Sequence, residues 1–564
     1  MKIKLSSDKL PSSLAELEDI LLEAENVKHR KTFFDSPAPV DISLKDVKIS
    51  AKSVNTAIKR LLQARQSEEQ IVVYGDYDAD GISATAVVWQ ILNRLKFKVM
   101  PFIPDRHKHG YGLSQQALEE VIELHHPSLI LTVDNGIVAH EQIAWLKKQQ
   151  IDVILTDHHQ MELDKNGKTR VPAANSVVHT TFLCGTTVAW ILMRELIVFL
   201  KEDLGIIIKQ LDLCGIATIA DQVPLQGANR SFAKSGLEAL RQTQRPGLIK
   251  LYDQAGIKPN QIDERTVGYA ISPRINAMGR MAHGLDALRL LCTGNLEQAG
   301  ELAKLLESVN QDRRDLTLDL MDIAIKIAEK QSREHIIVIH HLDFHDGVIG
   351  LIAGRIVEKF AKPAVVIGSA KMDGDGSGVA KASARSIAGV HITQLLRLIK
   401  SDLISLGGHP LAAGFSLRAD KIALVTTKLQ KLALVKIKTQ LLESSLQVAC
   451  QLPHFLLSVE TAELIERFRP FGQGNFQPIF LISDLNLIHV KQIGQDGQHL
   501  KLMVQISPLT GLANQPIQLI MWRNGFQAER LRVKKQISVV CALELNSWHG
   551  KTSLQLMAHQ LELE

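Results

Sequence analysis

Cysteine is scarce, with five residues in 564: Cys184, Cys214, Cys292, Cys450 and Cys541. The number is odd and no two stand in a CxxC arrangement, which excludes a disulfide framework and a cysteine zinc site. Long apolar runs are also missing. The best one, Val188 to Leu200, is interrupted by Arg194 and Glu195 and then meets Lys201, Glu202 and Asp203. A bilayer span needs about 20 mostly apolar residues. The opening MKIKLSSDKLPSS lacks the apolar core of a secretory signal. A cytoplasmic protein with no membrane association is therefore expected. An excess of one charge is absent too. The 65 Lys and Arg against 60 Asp and Glu leave +5, which alone implies no polyanionic partner. With 45% hydrophobic and 22% charged residues, a mainly disordered or collagen-like chain is excluded. The length predicts about three or four domains.

What is present is a change of pattern along the chain. Leu14–Ala24 reads as a short helix and Ser36–Asp41 as a linker. Short apolar runs follow at Ile71–Tyr74, Val99–Ile103, Leu129–Val133 and Val153–Thr156. Between them Ile82–Leu95, Ser114–Leu124 and Ala139–Gln150 repeat at helical spacing. This alternation predicts a parallel α/β sheet covered on both faces. Leu296–Ser332 is helical in pattern and free of proline, a connector about 50 Å long at ~1.5 Å per residue. A second α/β unit is expected from strands at His335–Ile339 and Pro363–Ile367 and a helix at Val348–Phe360, ending near Gln440. The runs Ile479–Ile482, Leu487–Val490, Leu500–Ile506, Ile517–Trp522, Ile537–Leu543 and Ser553–Leu561 then predict a small closed β-barrel.

Chemistry gathers at the ends of four apolar runs. The first ends in Gly75-Asp76-Tyr77-Asp78-Ala79-Asp80-Gly81, the second in Asp134-Asn135-Gly136, the third in Asp157-His158-His159. A fourth, Gly215–Ala220, is expected to be a strand ending in Asp221. In open parallel sheets, ligands gather beyond the carboxyl ends of the strands. So many carboxylates cannot share a small volume without positive charge. Divalent cations remove the conflict, and an oxygen and imidazole donor set suits Mn²⁺ or Mg²⁺. There are enough carboxylates for two ions, as in phosphoryl-transfer sites.

One aspartate after a strand is ordinarily an Asx-turn or a helix N-cap, but four such ends ask for another explanation. Asp76–Gly81 resembles the start of an EF-hand, yet its twelfth position is Val87 instead of Glu. Gly167–Thr169 and Gly550–Thr552 lack the earlier glycine of a phosphate loop, with Glu162 and Leu545 in its place. Asp373–Gly378 looks like a calcium loop but has Ala384 at its twelfth position. His125-His126 and His340-His341 have no carboxylate set nearby in sequence and read as surface or strand-end residues.

Taken together, Gly75–Gly81, Val133–Gly136, Thr156–His159 and Ala220–Leu225 resemble the four motifs of the DHH phosphoesterase superfamily. Pro104–Arg106 with Gly110–Gly112, Pro273–Arg280, Gly347–Arg355, Ala384–Ile387, Gly407–Gly414 and Pro470–Asn475 narrow the resemblance to the RecJ family. The likeness covers nearly the whole chain. It implies an N-terminal segment (1–45), a DHH catalytic domain (46–295), a connecting helix (296–332), a DHH-associated α/β domain (333–440) and an OB-fold nucleic-acid-binding domain (441–564). The implied activity is a single-stranded-DNA-specific 5′→3′ exonuclease. It would use two divalent ions, release 5′-mononucleotides and act in DNA recombination and repair beside a helicase and a single-strand-binding protein.

By motif matching, the resemblance makes Asp78, Asp80, Asp134, His158 and Asp221 metal ligands, with Asp134 as the bridge, and Asp76 either a further ligand or an acid that supports one. Asp157 and His159 would orient the site, and His409 with Arg280 would stabilise phosphate charge. Arg106, Arg280, Ser383 and Arg385 would grip a 5′-phosphate, because a guanidinium fork binds phosphate oxygens bidentately. Phe471, Phe476 and Trp522 are candidate base stackers. The sequence departs from the family pattern at His109, Met278, Phe344, Ala382, Ala388 and Phe476, none of them an implied ligand.

Two other readings are weighed. A DHH phosphoesterase for small substrates such as dinucleotides or pyrophosphate would not need the extra β-domain. A non-catalytic single-strand binder would not need the intact acid and histidine set. The weak net charge also hides a division. Residues 361–440 hold 12 Lys or Arg and 4 Asp or Glu, whereas residues 441–564 hold 10 of each. The excess of acid therefore lies in residues 1–360, with the implied metal ligands.

Overall fold

The computed structural model describes residues 2–106, 108–110, 112–164, 167–372, 378–443, 445–506, 516–548 and 550–562. Tyr111 and most of the Asp373–Gly378 loop lie outside the described residues. The chain divides into two compact units. Residues 38–223 and 235–444 form the larger, and residues 1–37, 224–234 and 445–564 the smaller.

The larger unit holds the predicted parallel sheet. Its strands are β1 (Ile71–Tyr74), β2 (Val99–Phe102), β3 (Leu129–Val133), β4 (Asp152–Asp157) and β5 (Ser176–His179). They lie in the order β2-β1-β3-β4-β5, and every pairing is parallel. All residues of β1 and β3 are buried, as expected of strands covered on both faces. Helices α1 (Gln115–His125) and α2 (His140–Lys148) cover one face. There Ala117, Leu118, Val121, Ile143 and Leu146 pack on Val72, Tyr74, Ile130 and Leu155. The chain leaves β1 for β2 on one side and reaches β3 on the other. That order makes the crevice beyond β1 and β3 the topological switch point, where ligands of open α/β sheets bind.

One expectation fails here. The run before Asp221 is a helix, α3 (Leu211–Ala220), not a fourth strand. Eight of its ten residues are buried, and a helix buried on all sides reads in sequence like a buried strand.

Further helices follow at α4 (Pro246–Ala255), α5 (Ser272–Met281) and α6 (Gly284–Cys292). The connector α7 spans Leu296–Glu329, 34 residues, with Asn295 as its N-cap. Beyond it lies a second five-stranded sheet of β6 (Ile337–His340), β7 (Ala364–Met372), β8 (Gly378–Arg385), β9 (Ser405–Gly408) and β10 (Ala412–Arg418). Its order is β9-β10-β8-β7-β6, and only β6 and β7 run parallel. Strand β8 alternates strictly. Ala380, Ala382 and Ala384 are buried, while Lys381, Ser383 and Arg385 are partly open. The period of two therefore places Ser383 and Arg385 on one face, away from the core.

The smaller unit contains a closed five-stranded barrel of Phe480–Ile493, His499–Gln505, Ile517–Met521, Gln536–Trp548 and Lys551–Glu562. The first strand merges two of the six runs read from sequence. It pairs with both neighbours through register shifts at Ile482/Leu485 and Leu487/His489, and bulges of this kind bend a strand around a barrel. The first residues belong to this unit. Lys2–Leu5 pairs in parallel with Ser445–Val448, and Leu17, Ile20 and Leu21 join the core that holds Phe468 and Phe480. Among the described residues, no helix is long and apolar enough to cross a membrane.

The larger unit is cross-braced by Arg245, just before α4. Its guanidinium donates to both Asp212 oxygens (3.0 and 3.2 Å), Gln90 (3.0 Å), Gln210 (3.1 Å) and the Leu291 carbonyl (2.6 Å). Removing one partner of a buried pair leaves the other charge unpaired, at a cost of about 3–5 kcal/mol. Arg245→Ala should lower the thermal midpoint markedly. Combining Arg245→Met with Asp212→Leu, which removes both charges, should restore much of the loss in the same melting experiment.

Candidate active site

The carboxyl end of β1 runs into the helix Ala79–Arg94. Asp78 is its N-cap, and its carboxylate accepts from the N–H groups of Asp80 and Gly81 at 3.0 Å. The ordinary structural role of such an aspartate is thus present along with the cluster. Asp80, two residues on, lies in the first turn and is buried. Its two oxygens accept from the N–H groups of Gly185 and Thr186 at 2.7 Å each. Those residues begin the helix Gly185–Leu200, so a helix N-terminus offsets the Asp80 charge. Gly185 has to be glycine, because a Cβ there would lie 2.4 Å from Asp134 Oδ1. Sequence reading did not single out Gly185 and Thr186; their only signal is a glycine opening an apolar helix.

Asp134, after β3, adopts φ 61°, a left-handed conformation that aspartate tolerates better than most residues. Asp157, the last residue of β4, is a hub. One oxygen accepts from Ile137 N–H (2.8 Å), and the other accepts from the N–H groups of His158 (2.7 Å) and His159 (3.1 Å) and meets His159 Nδ1 at 2.7 Å. The His159 ring is thereby fixed. It stacks on His409 from the turn between β9 and β10, at 5.3 Å between ring centres. His158 points the other way. Its Nε2 lies 3.2 Å from Asp134 Oδ1 and 3.9 Å from Asp80 Oδ2, and its Nδ1 lies 3.7 Å from Asp221 Oδ2.

Asp76, Asp78, Asp80, Asp134, His158 and Asp221 therefore converge, as the sequence argument expects. Asp221 arrives from the C-terminal end of α3. Three overlapping groups have donor atoms within 4.8 Å of one another: Asp134, His158 and His159; Asp80, His158 and Asp221; Asp76, Asp78 and Asp134. The residues fit divalent ions on a specific observation. Asp134 Oδ1 is buried and makes no hydrogen bond, although His158 Nε2 is only 3.2 Å away. Two lone-pair atoms so placed match adjacent ligands of one ion, which at ~2.1 Å each lie about 3 Å apart in an octahedral shell.

The electrostatics agree. Burial and then the Asp78 charge push Asp76 up to about 7. Burial and the Asp80 charge raise Asp78, Asp134 and Asp221 as well. Burial opposes ionisation of Asp157, but the neighbouring His159 holds it below the usual carboxylate range. Burial disfavours charge on His159, yet Asp157 raises it to about 9. Burial, then His159 and His158, depress His409 to about 4.

Beside the acids lies a cleft of about 200 Å³ lined by Asp76, Tyr77, Asp78, Arg106, Asn276, Arg280, Gly350, Ser383 and Arg385. The four residues read as phosphate grips thus meet in one place. Arg106 lies over the Tyr77 ring at 5.3 Å. Asn276 accepts from Ala79 N–H at 2.8 Å and joins α5 to the acidic loop. Arg385 Nη1 donates to Ser383 Oγ (3.0 Å), and a Cβ at Gly350 would approach Arg385 Nη2 to 3.1 Å. Burial, then Arg106 and Arg385, depress Arg280 to about 10. Clustered guanidiniums beside a hydroxyl suit an anion with several oxygens. Roles for Asn276 and Gly350 were not read from sequence.

His109 holds the Arg106 loop. Its Nδ1 accepts from Asp105 N–H at 3.0 Å and its Nε2 meets Glu120 at 3.1 Å. Of the candidate stackers, Phe471 is buried in the smaller unit's core, because that apolar core claims the ring. Phe476 and Trp522 are 59% and 55% exposed.

Comparison with known proteins gives three family matches: the DHH family N-terminal domain over residues 70–218, the DHHA1 domain over 333–433 and the RecJ OB domain over 448–560. The chain is 33% identical to the Bacillus subtilis single-stranded-DNA-specific exonuclease RecJ over 90% of its own length and 63% of the relative's. It is 31% identical to the Haemophilus influenzae protein of the same name, over 90% of each. It superposes on the crystal structure of Thermus thermophilus RecJ in complex with Mn²⁺ with a TM-score of 0.81 at 26% identity, over 100% of this chain and 80% of that one.

The cluster also sets a pH dependence. A histidine raised from 6.5 to about 9 by its partner contributes stability that is complete below the unfolded value and lost as pH rises through 9. Asp76 acts in the same direction, between about 4 and 7. In metal-free protein the thermal midpoint should fall between pH 6.5 and 9. His159→Gln should flatten that slope, and added Mn²⁺ should raise the midpoint most at the alkaline end.

Proposed function

The chain belongs to the RecJ family, and from that premise we propose that it is a metal-dependent exonuclease. It would degrade single-stranded DNA from the 5′ end to 5′-mononucleotides. The observation that carries the reading is the adjacency of two sites, since Asp76 and Asp78 belong both to the acid cluster and to the arginine-lined cleft. An anion gripped in the cleft is held next to the hydrolytic groups. The bond cut is then the one nearest the gripped terminus.

Asp76, Asp78, Asp80, Asp134, His158 and Asp221 would hold two divalent ions, Mn²⁺ or Mg²⁺, with Asp134 between them. When bound, such ions supply an activated water near neutral pH and offset charge on the phosphate oxygens. The chain's own residues do the rest. The Asp157 carboxylate fixes His159 as a cation, and that ring is stacked on His409. His409, depressed to about 4, is neutral at pH 7 and meets a phosphate oxygen as a hydrogen-bond donor. Arg106, Arg280, Ser383 and Arg385 bind the 5′-phosphate, which sets polarity. The leaving group is the 3′-oxygen of the first nucleotide. In the barrel unit, exposed Trp522 and the basic stretch Arg523–Lys535 would bind the strand by stacking and backbone contacts. A cytoplasmic role in recombination and repair, beside a helicase and a single-strand-binding protein, completes the reading.

Strands labelled at either end test it, incubated with the full chain and Mn²⁺ alongside duplex, dinucleotide and pyrophosphate. Early mononucleotide release from the 5′ label, with the 3′ label retained on long products, is expected. Hydrolysis confined to dinucleotide or pyrophosphate would sink the reading. Asp134→Asn should lower turnover beyond the roughly 10–100-fold loss typical of groups that only orient a ligand, and should leave DNA binding measurable. Arg280→Ala should raise KM for 5′-phosphorylated ends more than for 5′-hydroxyl ends.

A further inference from the structure

The helix that carries Asn276 and Arg280 begins well before the cleft. Glu264–Thr266 makes a first turn, Val267–Ile271 is π-helical, and α5 continues from Ser272. The wide turn has a cause in the sequence: Pro273 has no N–H to return to the Tyr269 carbonyl. Arg274 secures the turn. Its Nη1 donates to Ala270 O at 2.6 Å, and its Nε pairs with Glu307 of α7. Single π turns inside helices are uncommon and recur at functional sites.

Exposure along this segment is one-sided. Within residues 271–280 only Pro273, Asn276 and Arg280 are not buried. Spacings of three and four place them on one stripe, and Tyr269, four residues before Pro273, continues it. The stripe starts in the cleft, which Asn276 and Arg280 line, and ends at Tyr269, 84% exposed. Val267 and Ile271, on the other side of the turn, are fully buried. Tyr269 therefore presents a large ring to water from a rigid helix, about 10 Å beyond Asn276 at ~1.5 Å per residue. A Cβ at neighbouring Gly268 would meet nothing within 4 Å, so the surface beside the ring is open.

We propose that Tyr269 is a base-stacking subsite of the exonuclease. A nucleobase beyond the second nucleotide, on the 3′ side of the scissile bond, stacks on its ring while the 5′ end is held by the arginines. The inference rests on the exonuclease reading of the same cleft. Every base has a π-face, so this contact tolerates any sequence. It also requires a base whose face is free, which a duplex does not offer. Tyr269 thus adds to single-strand preference as well as to affinity.

Steady-state kinetics of the full chain with Mn²⁺ test the inference, on a long 5′-phosphorylated strand and on a dinucleotide. Stacking of one base is worth about 5- to 150-fold in affinity. Tyr269→Ala should raise KM for the long strand within that range and leave dinucleotide turnover unchanged. Tyr269→Phe should behave as wild type. A single abasic nucleotide, moved along the strand, should raise the wild-type KM at one position and have no further effect there in Tyr269→Ala. An unchanged KM in Tyr269→Ala, or an equal loss on the dinucleotide, would overturn the subsite. Failure of the wild type to cleave single strands would overturn the exonuclease reading itself.

Discussion

Crowding of carboxylates at one edge of a parallel sheet is the constraint on which the rest of the larger unit depends. The strand order brings the ends of β1 and β3 to the switch point, and their loops deliver Asp76, Asp78, Asp80 and Asp134 there. Like charges in a buried volume repel and favour protonation, in agreement with the upward shifts of Asp76, Asp78 and Asp134. The surrounding structure limits this cost by local means. The N-terminus of the helix Gly185–Leu200 binds Asp80, Asp78 caps a helix, and Asp157 is paired with a cationic His159. Glycine at position 185 lets that helix come close enough to do so.

The second sheet supplies the complementary charge. The alternation of β8 buries three alanines and turns Ser383 and Arg385 toward the cleft. The basic excess of residues 361–440 suggests that all the positive charge comes from this side. The cleft is more evenly shared, because Arg106 and Arg280 come from the part of the chain that also carries the acids. Burial first, and then the Arg106 and Arg385 charges, depress Arg280, and the opposing pull of Asp78 is smaller. Such a surface is arranged for a ligand that is itself anionic and for ions that are themselves cationic.

Most of this was legible in the sequence for identifiable reasons. Strands β1 and β3 are short, wholly buried, apolar but for Thr132, and followed by glycine or aspartate, which few other structures imitate. The connector was legible from its length. Asp221 was placed in the site although its element was misread, since Gly215–Ala220 is apolar at every position but Thr218 and carries no period. The paired runs Ile479–Ile482 and Leu487–Val490 were read as two strands because a bulge breaks the alternation within one. What sequence could not supply were contacts between distant segments: Gly185 and Thr186 on Asp80, Asn276 on Ala79, and Gly350 beside Arg385. Each looks like an ordinary helix residue until the fold brings its partner near.

Three locally unfavourable features meet at this point. Asp134 is left-handed without being glycine. Asp221 sits at a helix C-terminus, where the dipole disfavours a negative charge. His158 turns a ring nitrogen toward an unbonded carboxylate oxygen. A sequence selected only for stability would relieve each of these with a smaller or oppositely charged side chain. Their concentration around one point follows if a bound cation is the partner all three require, since it offsets the charge on Asp134 and Asp221 and accepts the His158 lone pair. Divalent ions at that point would then serve the fold as well as the chemistry, by joining α3 to the ends of β1, β3 and β4.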